Sequence, residues 1–140
     1  MESNWFLLAA VAMVSFAIMN IIFKKVVDMG VRTEVLLLYA FAFATIIFAA
    51  YVFSNKIPIL ISSQEAVILL VITAVLAFVG NTFSLNSLKA SPNPGYTLAV
   101  TGTSAILVAI ASIFIFKSEF TLVKGIGVVL AVLGIIFIGL

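Results

Sequence analysis

The chain's charged residues, seven basic and five acidic, fall in clusters that bound five apolar stretches. No charge occurs in residues 3–23, 35–55, 66–88, 90–116 or 125–140. A spanning helix needs roughly 20 apolar residues, and the first four stretches meet that directly. The last, with 16 residues, meets it if Lys124 snorkels to the interface and the helix begins near Thr121. The runs are continuous and do not alternate, which argues against the strands of a β-barrel. Hydrophobic residues make up 65% of the chain and charged ones 9%. A soluble domain has about 45–50% and about 25%, so this chain cannot cover a water-facing surface of its own size.

A soluble enzyme, a disordered tail and a nucleic-acid binder are thereby excluded. The net charge of +2 is too small and too scattered for a phosphate-binding patch. Cys and His are both absent, which removes disulfides, thiolate chemistry and the commonest transition-metal sites. No metal or cofactor is expected, and no nucleophile–base pair suggests an enzyme. The expectation is an all-α integral membrane protein, multi-pass in the cell (inner or plasma) membrane, with the lipid bilayer as its first partner.

Five transmembrane helices are expected near 4–28, 34–54, 63–88, 94–117 and 121–140, forming a single transmembrane domain over 1–140. Gly30 can close the first in a left-handed conformation, and Thr33 can cap the second. Ser62 with Glu65 reads as a capping box for the third. Asn93-Pro94 supplies a cap and a first-turn proline for the fourth, and Thr121 can cap the fifth. The first apolar run is long and is led by Glu2 with no basic residue, so it reads as a retained helix and not a cleaved signal. Trp5 and Tyr51 fit interfacial aromatics on one side. The loops are short, and only residues 56–63 could hold an extended segment along the membrane surface.

Let the N-terminal side be side A. Its loops carry Lys56, Lys117 and Lys124, whereas the side-B loops carry Lys24, Lys25, Arg32 and Lys89. So small a bias leaves two readings open. Side B is cytoplasmic with a weakly settled orientation, or the chain inserts both ways and pairs antiparallel. No segment repeats within the chain. A single unit with an odd helix count needs an oppositely inserted partner to form an inverted pair, so a homodimer is expected.

No Asp, Glu, Lys or Arg lies deep in a stretch. That argues against an ion pump, a voltage sensor or an exchanger built on a central carboxylate, and leaves neutral or zwitterionic solutes. Uncharged polar residues gather toward side B: Asn20, Tyr39, Asn81, Ser84, Asn86 and Ser87, then Tyr96, Thr97, Thr101, Thr103 and Ser104. Thr97, Thr101 and Ser104 follow i, i+4, i+7 spacing and form one stripe. Asn20, Tyr39, Asn81, Ser84, Thr97, Thr101 and Ser104 are the candidate substrate-binding residues lining a wet cavity. The competing reading is structural, since Ser and Thr bond their own helix carbonyls and polar groups hold membrane helices together. In the last helix Gly127, Ala131 and Gly134 share one face, suited to close helix approach within the chain or across a dimer. Gly125-Ile126-Gly127 is not a dinucleotide fingerprint, because no strand precedes it and a third glycine is missing.

These features resemble the drug/metabolite transporter superfamily, and within it one five-helix EamA-type repeat, over nearly the whole chain. The resemblance rests on Ser15-Phe16-Ala17-Ile18-Met19-Asn20 followed by Lys24, on Asn86-Ser87-Leu88-Lys89-Ala90, on Phe116-Lys117-Ser118-Glu119, and on the glycine-rich last helix. Glu119, Gly127 and Gly134 match family positions. The family's mid-helix proline is absent from the fourth helix, where Gly102 and Ser104 stand instead, and its arginine is absent near 39–41. The chain is similar in scale to the small multidrug resistance proteins, four-helix members that act as antiparallel dimers, but it has no counterpart to their helix-1 glutamate. The resemblance implies a dimeric transporter moving small metabolites, amino acids or amphipathic compounds by alternating access. The alternative is a non-transporting membrane subunit or a lipid-carrier flippase component.

Overall fold

A computed structural model describes residues 5–117 and 121–139, except for the side chains of Trp5, Lys124 and Ile135. Most of the described residues are helical, with no strand among them. The helices are α1 (Trp5–Asp28), α2 (Thr33–Ser54), α3 (Gln64–Ala90), α4 (Pro94–Gly102), α5 (Ser104–Ile115) and α6 (Leu122–Gly139). Four stretches are long and apolar enough to cross a membrane: Phe6–Asp28, Thr33–Ser54, Gln64–Ala90 and the α4–α5 pair, Pro94–Ile115. The apolar run of α6, Gly125–Ile138, is shorter. The chain forms two compact units, Met1–Ala90 and Ser91–Leu140.

In the first unit, packing is concentrated where α1 ends, α2 begins and α3 ends. Val27, Leu36, Leu37, Leu85 and Leu88 form the buried cluster, with Phe23, Val26 and Val31 against it. The chain leaves α1 through Gly30, whose φ of 88° is the left-handed conformation expected of it. The Gly30 N–H donates to Val27 O at 3.0 Å and so tightens the last turn. Lys24 Nζ pairs with Asp28 Oδ1 at 3.1 Å and also donates to the carbonyl of Lys89 at 3.4 Å, tying α1 to the C-terminus of α3. Outside this end the helices present apolar side chains outward, as a bilayer allows: Phe16 is 60% exposed, Phe48 70% and Leu76 65%.

Two expected caps fall elsewhere. Arg32, not Thr33, precedes the first turn of α2, and it makes no side-chain cap bond. Thr33 is buried, and its hydroxyl donates across the interface to Asn86 Oδ1 on α3 at 3.0 Å. A partner on another helix outcompetes the local cap here. At α3 it is Ser63 Oγ, not Ser62, that accepts the Ala66 N–H, at 3.2 Å. The helix therefore starts one residue later than a Ser62–Glu65 box requires. α2 closes through Lys56 at φ 53°, with Lys56 N–H on Phe53 O at 3.1 Å and Ile57 N–H on Val52 O at 3.0 Å. This paired-bond closure is usually made by glycine.

In the second unit, Asn93 behaves as its sequence suggests: its side chain caps the Gly95 N–H at 2.8 Å, ahead of Pro94. The single helix expected over 94–117 is instead two, broken at Thr103. There the N–H of Thr103 reaches Val100 O at 3.2 Å and that of Ile106 reaches Thr103 O at 2.8 Å, both i→i−3 bonds. The Thr103 hydroxyl also donates to Val100 O. Gly102 stiffens the helix little, and hydroxyl back-bonding from Thr101 and Thr103 bends it, so the break forms without proline. α6 starts after Thr121, whose carbonyl accepts the Gly125 N–H at 3.0 Å. Glu119 and the side chains of Trp5 and Lys124, each given a role from sequence, lie outside the described residues.

Candidate functional site

The inward stripe of α3 carries Ala77, Asn81, Ser84 with Leu85, and Leu88, at successive turns of one face. That of α1 carries Asn20, Phe23 with Lys24, and Val27. Asn20 and Asn81 are both partly buried, on the faces their helices turn toward the unit's interior. From the helical rise, Asn20 lies about 6 Å before Lys24 along α1 and Asn81 about 12 Å before Lys89 along α3.

Each amide makes a single bond to its own helix. Asn20 Nδ2 donates to Phe16 O at 2.8 Å and Asn81 Nδ2 to Ala77 O at 2.8 Å. Among the described residues neither makes another side-chain bond, so each keeps an amide oxygen and a second N–H to offer. In a bilayer such groups are costly without water, protein or solute to bond. Ser84 lies on the α3 stripe, partly buried. Tyr39 does not join these residues. It is 58% exposed, off the Thr33, Leu36, Ala40 stripe of α2, and its ring sits 5.9 Å from that of Phe43.

Thr82 was missed by the sequence reading. Its hydroxyl is buried with no hydrogen-bond partner among the described residues. It stands one turn before Asn86, which receives the Thr33 bond. The Asn81-Thr82 pair placed two polar groups side by side within an apolar stretch, and that was the available signal. The Thr33–Asn86 contact gives a test. Thr33→Val and Asn86→Leu should each lower unfolding stability in detergent by about 0.5–1.5 kcal/mol. In a double-mutant cycle the coupling should be about 0.6 kcal/mol, typical of interhelical bonds in membrane proteins.

In the second unit Thr97 is buried at 4% exposure, and its carbonyl accepts the Thr101 hydroxyl at 3.0 Å. The Thr101 hydroxyl also lies 3.4 Å from Leu98 O. Ser104 is exposed and opens α5 directly after the break. The polar stripe Thr97, Thr101, Ser104 thus brackets the interruption of the helix. An open apolar cleft lies between α5 and α6, lined by Ile110, Leu122, Ile126 and Val129 among others. Gly127, Ala131 and Gly134 are exposed, and a Cβ at either glycine would meet nothing within 4 Å.

The family model for EamA-like transporters matches residues 3–140. The chain belongs to the EamA-like transporter family. No curated protein and no solved structure matches it. EamA membership together with four apolar helices makes it a multi-pass membrane protein. Membership also points to a membrane transporter of the drug/metabolite type. In this EamA-like chain the first unit offers two inward amides, and the second a helix interrupted beside three hydroxyls.

Proposed function

We propose that this chain moves small neutral or zwitterionic solutes, such as metabolites, amino acids or amphipathic compounds, across the inner or plasma membrane by alternating access. The observation that carries the reading is the pair of inward, partly buried amides of Asn20 and Asn81, each with bonding capacity left over in a stretch without charge. Ser84 adds a further polar contact in the first unit, and the Thr97, Thr101, Ser104 stripe offers hydroxyls to solute in the second. Tyr39, 58% exposed on α2 as the lipid-facing side chains are, adds no contact to this set. Interruption of a spanning helix beside polar side chains suits a transporter, because broken helices present backbone groups to solutes.

In this reading α6 completes a fifth span, and two chains pair as a homodimer, inserted in opposite orientations in keeping with the weak charge bias. The exposed Gly127, Ala131, Gly134 face supports a contact between subunits, since small residues let helix backbones approach closely. Gly134→Leu should then lower the crosslinked dimer fraction several-fold while the monomer keeps its helical content. An unchanged dimer fraction would remove this face from the interface. The transport reading itself is tested by a ligand-stabilisation screen on detergent-purified chain, in which a bound solute raises apparent stability by RT ln(1 + [L]/Kd). A folded chain that no solute stabilises favours the non-transporting subunit.

A further inference from the structure

The connection between α2 and α3 differs from the other described loops. Residues 57–63 take no helical conformation, and they read Ile-Pro-Ile-Leu-Ile-Ser-Ser. Ile57, Ile59, Leu60 and Ile61 are exposed, Leu60 at 90%. Pro58 keeps α2 from continuing. The backbone of residues 59–62 makes no hydrogen bond among the described residues. The other two described turns are unlike this: Met29, Gly30, Val31 and Arg32 form a charged, partly packed turn, and Ser91-Pro92-Asn93 is a short polar one.

We propose that residues 57–61 form an interfacial anchor, lying in the membrane plane with their side chains in the headgroup–acyl boundary of the side-A leaflet. The segment joins two candidate spans, so both of its ends are held at one membrane face. Its side chains are too apolar for water. From residue 59 on, its backbone groups have no partner among the described residues and are therefore too polar for the hydrocarbon core. The boundary region satisfies both, supplying acyl chains to the isoleucines and leucine and water or headgroups to the peptide groups. Tyr51, 62% exposed and one turn before the end of α2, is an aromatic of the kind that sits at the same depth. The Lys56 turn at φ 53° sends the chain away from the α2 axis at this point. The anchor also has a structural use, because the buried cluster of the first unit sits wholly at the opposite end of α2 and α3. At side A, lipid holds these helix ends at a fixed depth.

The test uses this 140-residue chain, whose lack of cysteine makes single-site labelling clean. Leu60→Cys carries an environment-sensitive fluorophore in phosphatidylcholine vesicles. Ser91→Cys is the water-exposed reference and Ile47→Cys the mid-span reference. Ile59→Cys replaces Leu60→Cys if that variant does not fold. The anchor predicts blue-shifted emission relative to Ser91, strong loss of emission with nitroxide near the top of the acyl chain, weaker loss with nitroxide near its end, and little loss with iodide. Iodide quenching equal to that at Ser91 overturns the proposal, because the loop is then in water. Protection from iodide and both nitroxides overturns it as well, because another protein surface then covers the loop. Failure of the deep nitroxide to quench Ile47 would instead strike at membrane spanning itself.

Discussion

Asn81→Leu should leave the protein folded and reduce transport by about two- to twelvefold, since a hydrogen bond to solute contributes about 0.5–1.5 kcal/mol, and by more where a solute group is left unpaired. The fold survives because the Asn81 amide bonds only within its own helix, to Ala77 O at 2.8 Å, and no second helix depends on it. Leucine there also removes a polar group from an apolar setting. Thr101→Val is the companion variant. It deletes a hydroxyl that returns to Thr97 O, so helix stability changes little while any solute contact is lost. The checks are thermal unfolding of purified variants and solute flux in vesicles. If Asn81→Leu unfolds and the residual folded fraction transports normally, the amide holds helices together and the site assignment fails.

Leu88→Ala should cost about 3 kcal/mol of unfolding stability, within the usual range of about 2–5 kcal/mol for a leucine emptied from a packed site. Leu88 is 1% exposed and sits in the cluster that joins α1, α2 and α3. The neighbouring helix ends are pinned by the Lys24–Lys89 contact, so the cavity cannot collapse freely. Leu38→Ala, at a position 68% exposed on α2, should change stability by less than about 0.5 kcal/mol. Equilibrium unfolding in detergent compares the two, and equal losses would deny the cluster its role.

The ends of α1, α2 and α3 fall where charge marks the ends of their stretches. Lys24 and Asp28 close α1, Glu34 opens α2, and Glu65 and Lys89 bracket α3. Asn93-Pro94 was legible because its capping bond is local to the sequence. Thr33 was not, because its partner Asn86 is 53 residues away and only tertiary packing brings them together. Ser62 and Ser63 compete for one cap, and sequence alone does not separate adjacent serines. The break at Thr103 was hidden by the absence of proline, although Thr101, Gly102 and Thr103 together weaken the helix as hydroxyls return to carbonyls. Within the candidate site, Asn20, Asn81 and Ser84 are partly buried. Tyr39 stands apart because its position on α2 falls between the turns that pack.

Whether the inward amides of a charge-free stretch serve a transported solute is decided by reconstituting the purified chain alone into vesicles, offering a mixture of neutral and zwitterionic metabolites, and measuring what enters. The expected result is uptake of at least one solute above empty vesicles, with that uptake lost in Asn81→Leu vesicles of equal protein content. Folded chain that moves no solute beyond the empty-vesicle level, or uptake unchanged by Asn81→Leu, would contradict it.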